Sequence, residues 1–308
     1  MSLDDRSTRF LDISPYVSLP TDLQAPLQGD IRADVVIVGG GFTGLSTALA
    51  LHKAGVSAVV LERSFCGYGA SGRNAGHLTP TICKDLPTAN LLFGAETAAK
   101  LARFADYCVE SAEHLFLEYG IDCDYQQSGN IMTVVHPSQE ARLRKATETA
   151  RALGAKMHFI EPGEMRERGL PKAFLCGSLE EAGGTLHPGK FILGLRQAAL
   201  QRGIRIYEQT SVDRIQHGKP LRVMTPCGSV SADKLLMASN AYTPEIGKPG
   251  ERIVPLHVTL FETEPLSDEQ LAAIGGWQGR EGIYTAHESM ESYRLTAQRT
   301  IIGGSKNV

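Results

Sequence analysis

Long apolar runs are missing from this 308-residue chain. Its most apolar stretches, such as Val35-Val36-Ile37-Val38 and Lys234-Leu235-Leu236-Met237-Ala238, are strand-sized, far short of the ~20 residues a membrane-spanning helix needs. The opening residues, MSLDDRSTRFLD, carry two early acids and no apolar core, so no secretory signal is read there and a cytoplasmic location is expected. An excess of one charge is also missing. Lysine and arginine number 31 against 34 acidic residues, for a net charge of -3. Nucleic-acid binding, which would want a basic excess or stripe, therefore gets no support. The six cysteines (Cys66, Cys83, Cys108, Cys123, Cys176 and Cys227) form no C-x-x-C pair. Neither a metal site nor a disulfide framework is indicated, and reduced thiols are expected. No internal repeat or low-complexity segment is visible.

What is present is an ordinary globular composition, 42% hydrophobic and 21% charged. That excludes a wholly disordered chain, and the length suits two domains or one large one. Glycine is enriched, at 32 residues, and clustered.

Hydrophobic periodicity gives a coarse element order. Residues 1–29, with Pro15, Pro20 and Pro26, read as an extended arm. A strand is expected at 34–38, a helix from Phe42 to Ala54 closed by Gly55, and a second strand at 56–61. Strand, helix and strand this close form a βαβ unit, which implies a parallel sheet. One long helix is expected over 92–119, a strand over 130–135, and a charged helix from Pro137 to Leu153. A helix from Pro188 to Arg202 leads into a strand at 204–207. A β-meander follows over 211–237, and further strands at 252–264, 282–287, 292–297 and 300–303.

Two motifs carry chemistry. Gly39-Gly40-Gly41-Phe42-Thr43-Gly44 contains G-x-G-x-x-G between a predicted strand and a predicted helix, the context a dinucleotide fingerprint requires. Gly39 permits the tight turn, Gly41 lets the backbone approach a pyrophosphate, and Gly44 lets the helix pack close to the strand. The helix N-terminus then favours the phosphates' negative charge. Glu62, at the end of the second strand, lies 23 residues after Gly39. A carboxylate there suits the ribose hydroxyls and repels a 2′-phosphate. The second motif, Cys66-Gly67-Tyr68-Gly69-Ala70-Ser71-Gly72-Arg73-Asn74-Ala75-Gly76-His77, follows at once. Its small residues permit close backbone contact, and Ser71, Arg73 and Asn74 offer hydrogen bonds.

With GGGFTGLSTALAL, then LE, then GYGASGRNAG, the chain resembles the FAD-dependent oxidoreductases of the D-amino-acid oxidase superfamily. Within it, the chain looks like the gamma-glutamylputrescine oxidoreductase-like amine oxidases. Leu27-Gln28-Gly29-Asp30, Leu186-His187-Pro188 and Ala238-Ser239-Asn240-Ala241-Tyr242-Thr243 add softer matches.

The resemblance implies an α/β fold with two parts. A Rossmann-like FAD-binding domain (parallel sheet, βαβ unit, β-meander) is expected over 30–80 and 186–245. An α+β substrate domain with a mixed or antiparallel sheet is expected over 81–185 and 246–308. It also implies site roles. Gly39, Gly41, Phe42, Thr43 and Gly44 surround the pyrophosphate, Glu62 holds the adenosine ribose and Arg63 borders the adenine. Ser71, Arg73, Asn74, Ala75, Gly76 and His77 line the path to the isoalloxazine. Val212 meets the adenine through its backbone, and Ser239, Asn240 and Ala241 lie near the pyrophosphate.

Relatives with a histidyl-linked flavin carry that histidine where this chain has Arg73, so non-covalent FAD is expected. Relatives also continue past the position of Val308 into a further glycine-rich segment, so a truncated chain is expected here. The implied reaction is oxidation of the C–H beside an amine nitrogen, with hydride passing to flavin N5. The resulting imine hydrolyses, and oxygen or another acceptor takes the electrons. Catalytic candidates are Arg294 (a carboxylate partner or a solvated strand arginine), its neighbour Tyr293, and His77 (beside the flavin or purely structural). His257 and Lys306 are further candidates. The competing readings are an inactive FAD-binding fragment and an NAD-binding dehydrogenase.

Overall fold

A computed structural model describes residues 13–82, 85–246, 252–254, 256, 258–287 and 289–306. The chain divides into two compact units, one of Met1–Arg73 with Pro188–Val254, the other of Asn74–His187 with Pro255–Val308.

The first unit is built on a six-stranded sheet. Its spatial order is Arg205–Tyr207, Ala58–Leu61, Gly29–Val38, Gly228–Met237, Leu221–Thr225 and Arg214–Gln216. The first four strands run parallel, and the last two are joined on by antiparallel pairing. Val36, Ile37, Val59 and Val60 are fully buried. Consecutive residues burying both faces is what a covered parallel sheet demands, and each such side chain contributes about 1.5–3 kcal/mol. Val36, Val38, Val59 and Leu61 join Leu27, Val223 and Val230 in one core. The helix Phe42–Lys53 packs on the Ile37 side, and its Phe42 ring meets Phe191 of the helix Pro188–Gln201 at 4.7 Å. The residues expected as an extended arm contribute Val17 and Leu27 to this unit, both buried.

The second unit holds a seven-stranded sheet in the order Val258–Glu262, Ile301–Lys306, Glu291–Leu295, Gly282–Thr285, Asn130–Val134, Cys176–Glu180 and Met157–Ile160. Only Gly282–Thr285 and Asn130–Val134 run parallel. Paired residues share a face, so the register sorts the side chains. One face carries Ile131, Leu179, Ile283, Tyr293 and Leu295, packed with Ile160, Met165, Phe174 and Trp277. The other carries Asn130, Met132, Ser178, Glu180, Tyr284 and Arg294.

The expected long helix is two helices, Leu86–Phe93 and Ala95–Tyr119, because Gly94 breaks the backbone at φ +80°. Ala98, Ala102, Ala105, Val109 and Phe116 form the buried stripe of the longer one. The strands Met157–Ile160 and Cys176–Glu180 and the helix Asp268–Ala273 were not anticipated. None of the described helices is long and apolar enough to cross a membrane.

Candidate functional site

In the first unit, the carboxyl ends of neighbouring parallel strands open onto a cavity of about 210 Å³. Val38 and Gly39 end one strand, Leu61, Glu62 and Arg63 follow the next, and Ala238, Ser239 and Asn240 follow the third. The loop Gly67–Ser71 and residues Thr210, Ser211 and Val212 complete the wall. In open α/β sheets, ligands sit at this end, where the strand order reverses.

Segments of this wall approach one another closely, which explains the glycines. Gly39 has φ +113°, and a Cβ there would lie 2.5 Å from the carbonyl oxygen of Ala238. A Cβ on Gly44 would lie 2.0 Å from the carbonyl oxygen of Gly39. Gly41, at the helix N-cap, faces Ser71 Oγ. The Phe42 N–H donates to that same Oγ at 2.9 Å, so the second motif is tied directly to the first.

Glu62 lines the cavity and braces its turns. The Gly40 N–H donates to Oε2 at 2.8 Å and the Ser64 N–H to Oε1 at 3.0 Å. Burial raises its pKa, partly offset by these two donors. Each oxygen keeps acceptor capacity beyond one bond, so the carboxylate can still receive hydroxyls. Arg63 is held at the rim, 4.1 Å from the Tyr242 ring centroid and 2.6 Å from Glu245. Phe42, Thr43, Gly44 and Arg73 lie outside the wall. The Arg73 Nε donates to the Tyr68 carbonyl at 2.7 Å, with the guanidinium over the Tyr68 ring.

Behind the loop stands an ion pair that sequence reasoning missed. Glu208 and Arg196 are buried, with Arg196 Nη2 2.7 Å from Glu208 Oε2. The Cys66 and Gln24 N–H groups also donate to Glu208, and Arg196 reaches Asp22. These bonds hold the Glu62–Ser71 connection against the helix Pro188–Gln201. The available signal was an arginine on the buried stripe of that helix, beside Ile192, Leu195 and Ala199.

The second unit gathers Asn74, Ala75, Gly76, His77 and Arg294. His77 sits on a two-residue strand paired with Gly184–Thr185. Its Nδ1 meets Asn130 Oδ1 at 3.0 Å, while Asn130 Nδ2 donates to the Leu78 carbonyl at 2.8 Å. That second bond fixes the amide, so Oδ1 must accept and His77 Nδ1 carries the proton. His77 Nε2 is buried with no hydrogen-bond partner among the described residues. Burial, with the Arg294 charge adding to it, pushes the His77 pKa down to about 4, so the ring is neutral near pH 7. Arg294 is itself buried, and its Nε donates to the Ala75 carbonyl. It is thus a brace for the turn before His77. The Gly76 N–H donates to Asn74 Oδ1 at 3.0 Å.

Tyr293 does not join this group. Strand neighbours point to opposite faces, so Tyr293 lies on the Trp277 side. There its ring is 6.1 Å from Phe174 and its hydroxyl donates to Glu291. His257 and the Lys306 side chain lie outside the described residues.

A glycine-cradled cavity at the strand ends of a parallel sheet, with an acid at the second strand's end, defines a dinucleotide-binding class of fold. The particular family follows from comparison. The model of the FAD dependent oxidoreductase family (DAO) matches residues 34–308, and the chain belongs to that family. It is 32% identical over 300 residues to gamma-glutamylputrescine oxidoreductase of Escherichia coli (strain K12), covering 94% of this chain and 69% of that protein. In fold it is similar to L-amino acid deaminase from Proteus vulgaris, at 20% identity and TM-score 0.69, covering 92% of this chain and 63% of that one. It is likewise similar to glycine oxidase from Geobacillus kaustophilus, at 19% identity and TM-score 0.67, covering 90% and 73%. The chain thus spans roughly two thirds of the length of these relatives.

Proposed function

We propose that this protein is an FAD-dependent oxidoreductase that oxidises the C–N bond of a small amine or amino acid. The first unit would hold FAD without a covalent link. The observation that carries the reading is the glycine-lined cavity at Gly39, Gly41 and Glu62, where added Cβ atoms at Gly39 and Gly41 would meet neighbouring atoms at 2.5 and 2.8 Å. Such close walls suit a cofactor whose pyrophosphate contacts main chain.

In this reading Gly39, Gly41 and Ser71 stand nearest the pyrophosphate, with Ser239 and Asn240 opposite, and Glu62 accepts the ribose hydroxyls. Val212 and Arg63 border the adenine. Phe42, Thr43 and Gly44 shape the helix start, and Arg73 stiffens the loop through Tyr68. Residue 73 is arginine, which offers no histidyl link, and this supports non-covalent binding. When bound, FAD supplies a two-electron acceptor for the hydride beside the amine nitrogen, leaving an imine for water to hydrolyse.

We assign the amine to the second unit. The neutral His77 presents the Nε2 lone pair, which accepts an N–H of the substrate and keeps its nitrogen oriented. Arg294 acts as a positioning residue through the Ala75 carbonyl. The likeness to the Escherichia coli relative makes a gamma-glutamylputrescine-like amine the first substrate to try. Oxygen or another acceptor would take the electrons.

The test is the visible spectrum of the purified 308-residue protein, followed by anaerobic addition of amines. Flavin bands that bleach with an amine are expected. A protein that stays colourless after FAD is added would overturn the reading. Bound flavin that no amine bleaches would favour a chain that binds FAD without catalysis.

A further inference from the structure

A second cavity, of about 310 Å³, lies wholly within the second unit, between its sheet and the helices Leu86–Phe93, Ala95–Tyr119 and Glu140–Ala152. That volume is within the range of small-molecule sites. Its walls are largely apolar, with Leu86, Leu101, Leu143 and Met132 among them. Two polar side chains of one strand enter it, Ser178 and Glu180. Two residues apart, they share a face and stand ~7 Å apart along the strand. Ser178 is only 1% exposed, yet its Oγ has no hydrogen-bond partner among the described residues. Such an orphan is destabilising unless something meets it. The Tyr284 hydroxyl donates to Glu180 Oε2 at 2.9 Å, and no other described side chain donates to that carboxylate.

We propose that this cavity binds a primary alkylammonium ion, its charged end on Glu180 and Ser178 and its chain along the apolar wall. The remaining charges agree. The acids Asp85 and Asp106 also line the cavity, against one base, Lys156. Lys156 is already drawn to Asp106 and Glu110, at 3.9 and 3.5 Å. Burial holds the Glu180 carboxyl up at about 7, which is the condition of an acid lacking its counter-ion. A cation beside it would restore the charged form. The oxidation proposed above is not a premise of this assignment.

Methionine methyl groups provide the readout. Met132, Met157 and Met290 line the cavity, while Met165, Met224 and Met237 do not. The protein, labelled with ¹³C-methyl methionine and supplied with FAD, is titrated with n-butylammonium chloride and separately with 1-butanol. Saturable shifts confined to Met132, Met157 and Met290 are expected, with the cation binding about tenfold more tightly than the alcohol. Glu180→Gln should weaken the cation about tenfold and leave the alcohol unchanged. Ser178→Ala, which removes no internal bond, should weaken the cation severalfold and serves as the decisive variant if Glu180→Gln does not fold. Methyl signals that stay still, or that move equally for both probes and in both variants, would overturn the proposal. Flavin that bleaches with amines while these methionines stay still would sink this site and leave the proposed reaction standing.

Discussion

The two cavities are made of different material. The one in the first unit is gathered around glycine turns, with Gly39, Gly41 and Gly44 permitting close approach and Glu62 and Ser71 holding the turns by backbone N–H bonds. The one in the second unit is walled by side chains on a sheet face, with Glu180 and Ser178 as polar members. The first site should therefore fail through shape and support, and the second should respond through charge.

The largest effect should come from removing the support. Glu208→Ala takes from buried Arg196 its buried carboxylate partner, leaving it only the half-exposed Asp22, and frees the Cys66 and Gln24 N–H groups. Breaking a buried pair in this way costs about 3–5 kcal/mol. Denaturant unfolding should show that loss together with weaker FAD binding. A loss below ~1 kcal/mol would mean that the loop stands without the ion pair.

Next is charge in the second unit. The Glu180 carboxyl titrates near 4.5 in an unfolded chain and at about 7 here. Between those values the native state keeps a proton that the unfolded state has lost, so this carboxyl's contribution to stability falls as pH rises through the window, against the rise that the depressed His77 contributes below its ordinary value. The ceiling on that loss is ~3 kcal/mol. In Glu180→Gln this contribution should be lost, so the variant gains on the wild type as pH rises and is the more stable protein above pH 7, as read from the difference between their thermal melts across pH 4–8. A difference that does not change with pH would place the titration elsewhere.

A smaller stability change, with a large change in ligand binding, is expected at Gly44→Ala. The new Cβ meets the Gly39 carbonyl oxygen, and such overpacking costs about 1–3 kcal/mol. Fluorescence titration should show FAD affinity collapsing. Retained affinity would contradict the idea that the first cavity works by shape.

The smallest effect belongs to Tyr293→Phe. It removes one hydroxyl that bonds Glu291 on the face away from His77, for about 0.5–1.5 kcal/mol. Amine oxidation should be unchanged. A large fall in the rate of flavin reduction would put Tyr293 back among the reacting groups.

The contrast between the cavities also explains what could be read from the chain. The glycine turn, its helix and Glu62 lie within one stretch of sequence, each following its neighbour in space. Ser71 and the loop after it were visible as a motif, although their bond to the Phe42 N–H was not. Arg196 and Glu208 were overlooked because charged residues normally signal surface, and only burial reveals their pairing. The strands Met157–Ile160 and Cys176–Glu180 were missed because His158, Gly177 and Ser178 interrupt any apolar pattern. The opposition of Tyr293 and Arg294 was legible in principle, since alternation along a strand is a rule of the backbone.

What the sequence determined by itself was local: a βαβ unit, a glycine-lined turn at a helix start and an acid at the next strand's end. Steric limits on φ and on close approach act within a few residues, so residue identity is enough to state them. What only the tertiary structure decided was non-local: the neutral tautomer of His77 set by Asn130, the brace from Arg294 to Ala75, and the meeting of Glu180 with Tyr284. Those side chains come from strands far apart in the chain. Register and burial, which emerge only when the whole sheet is assembled, set their chemistry.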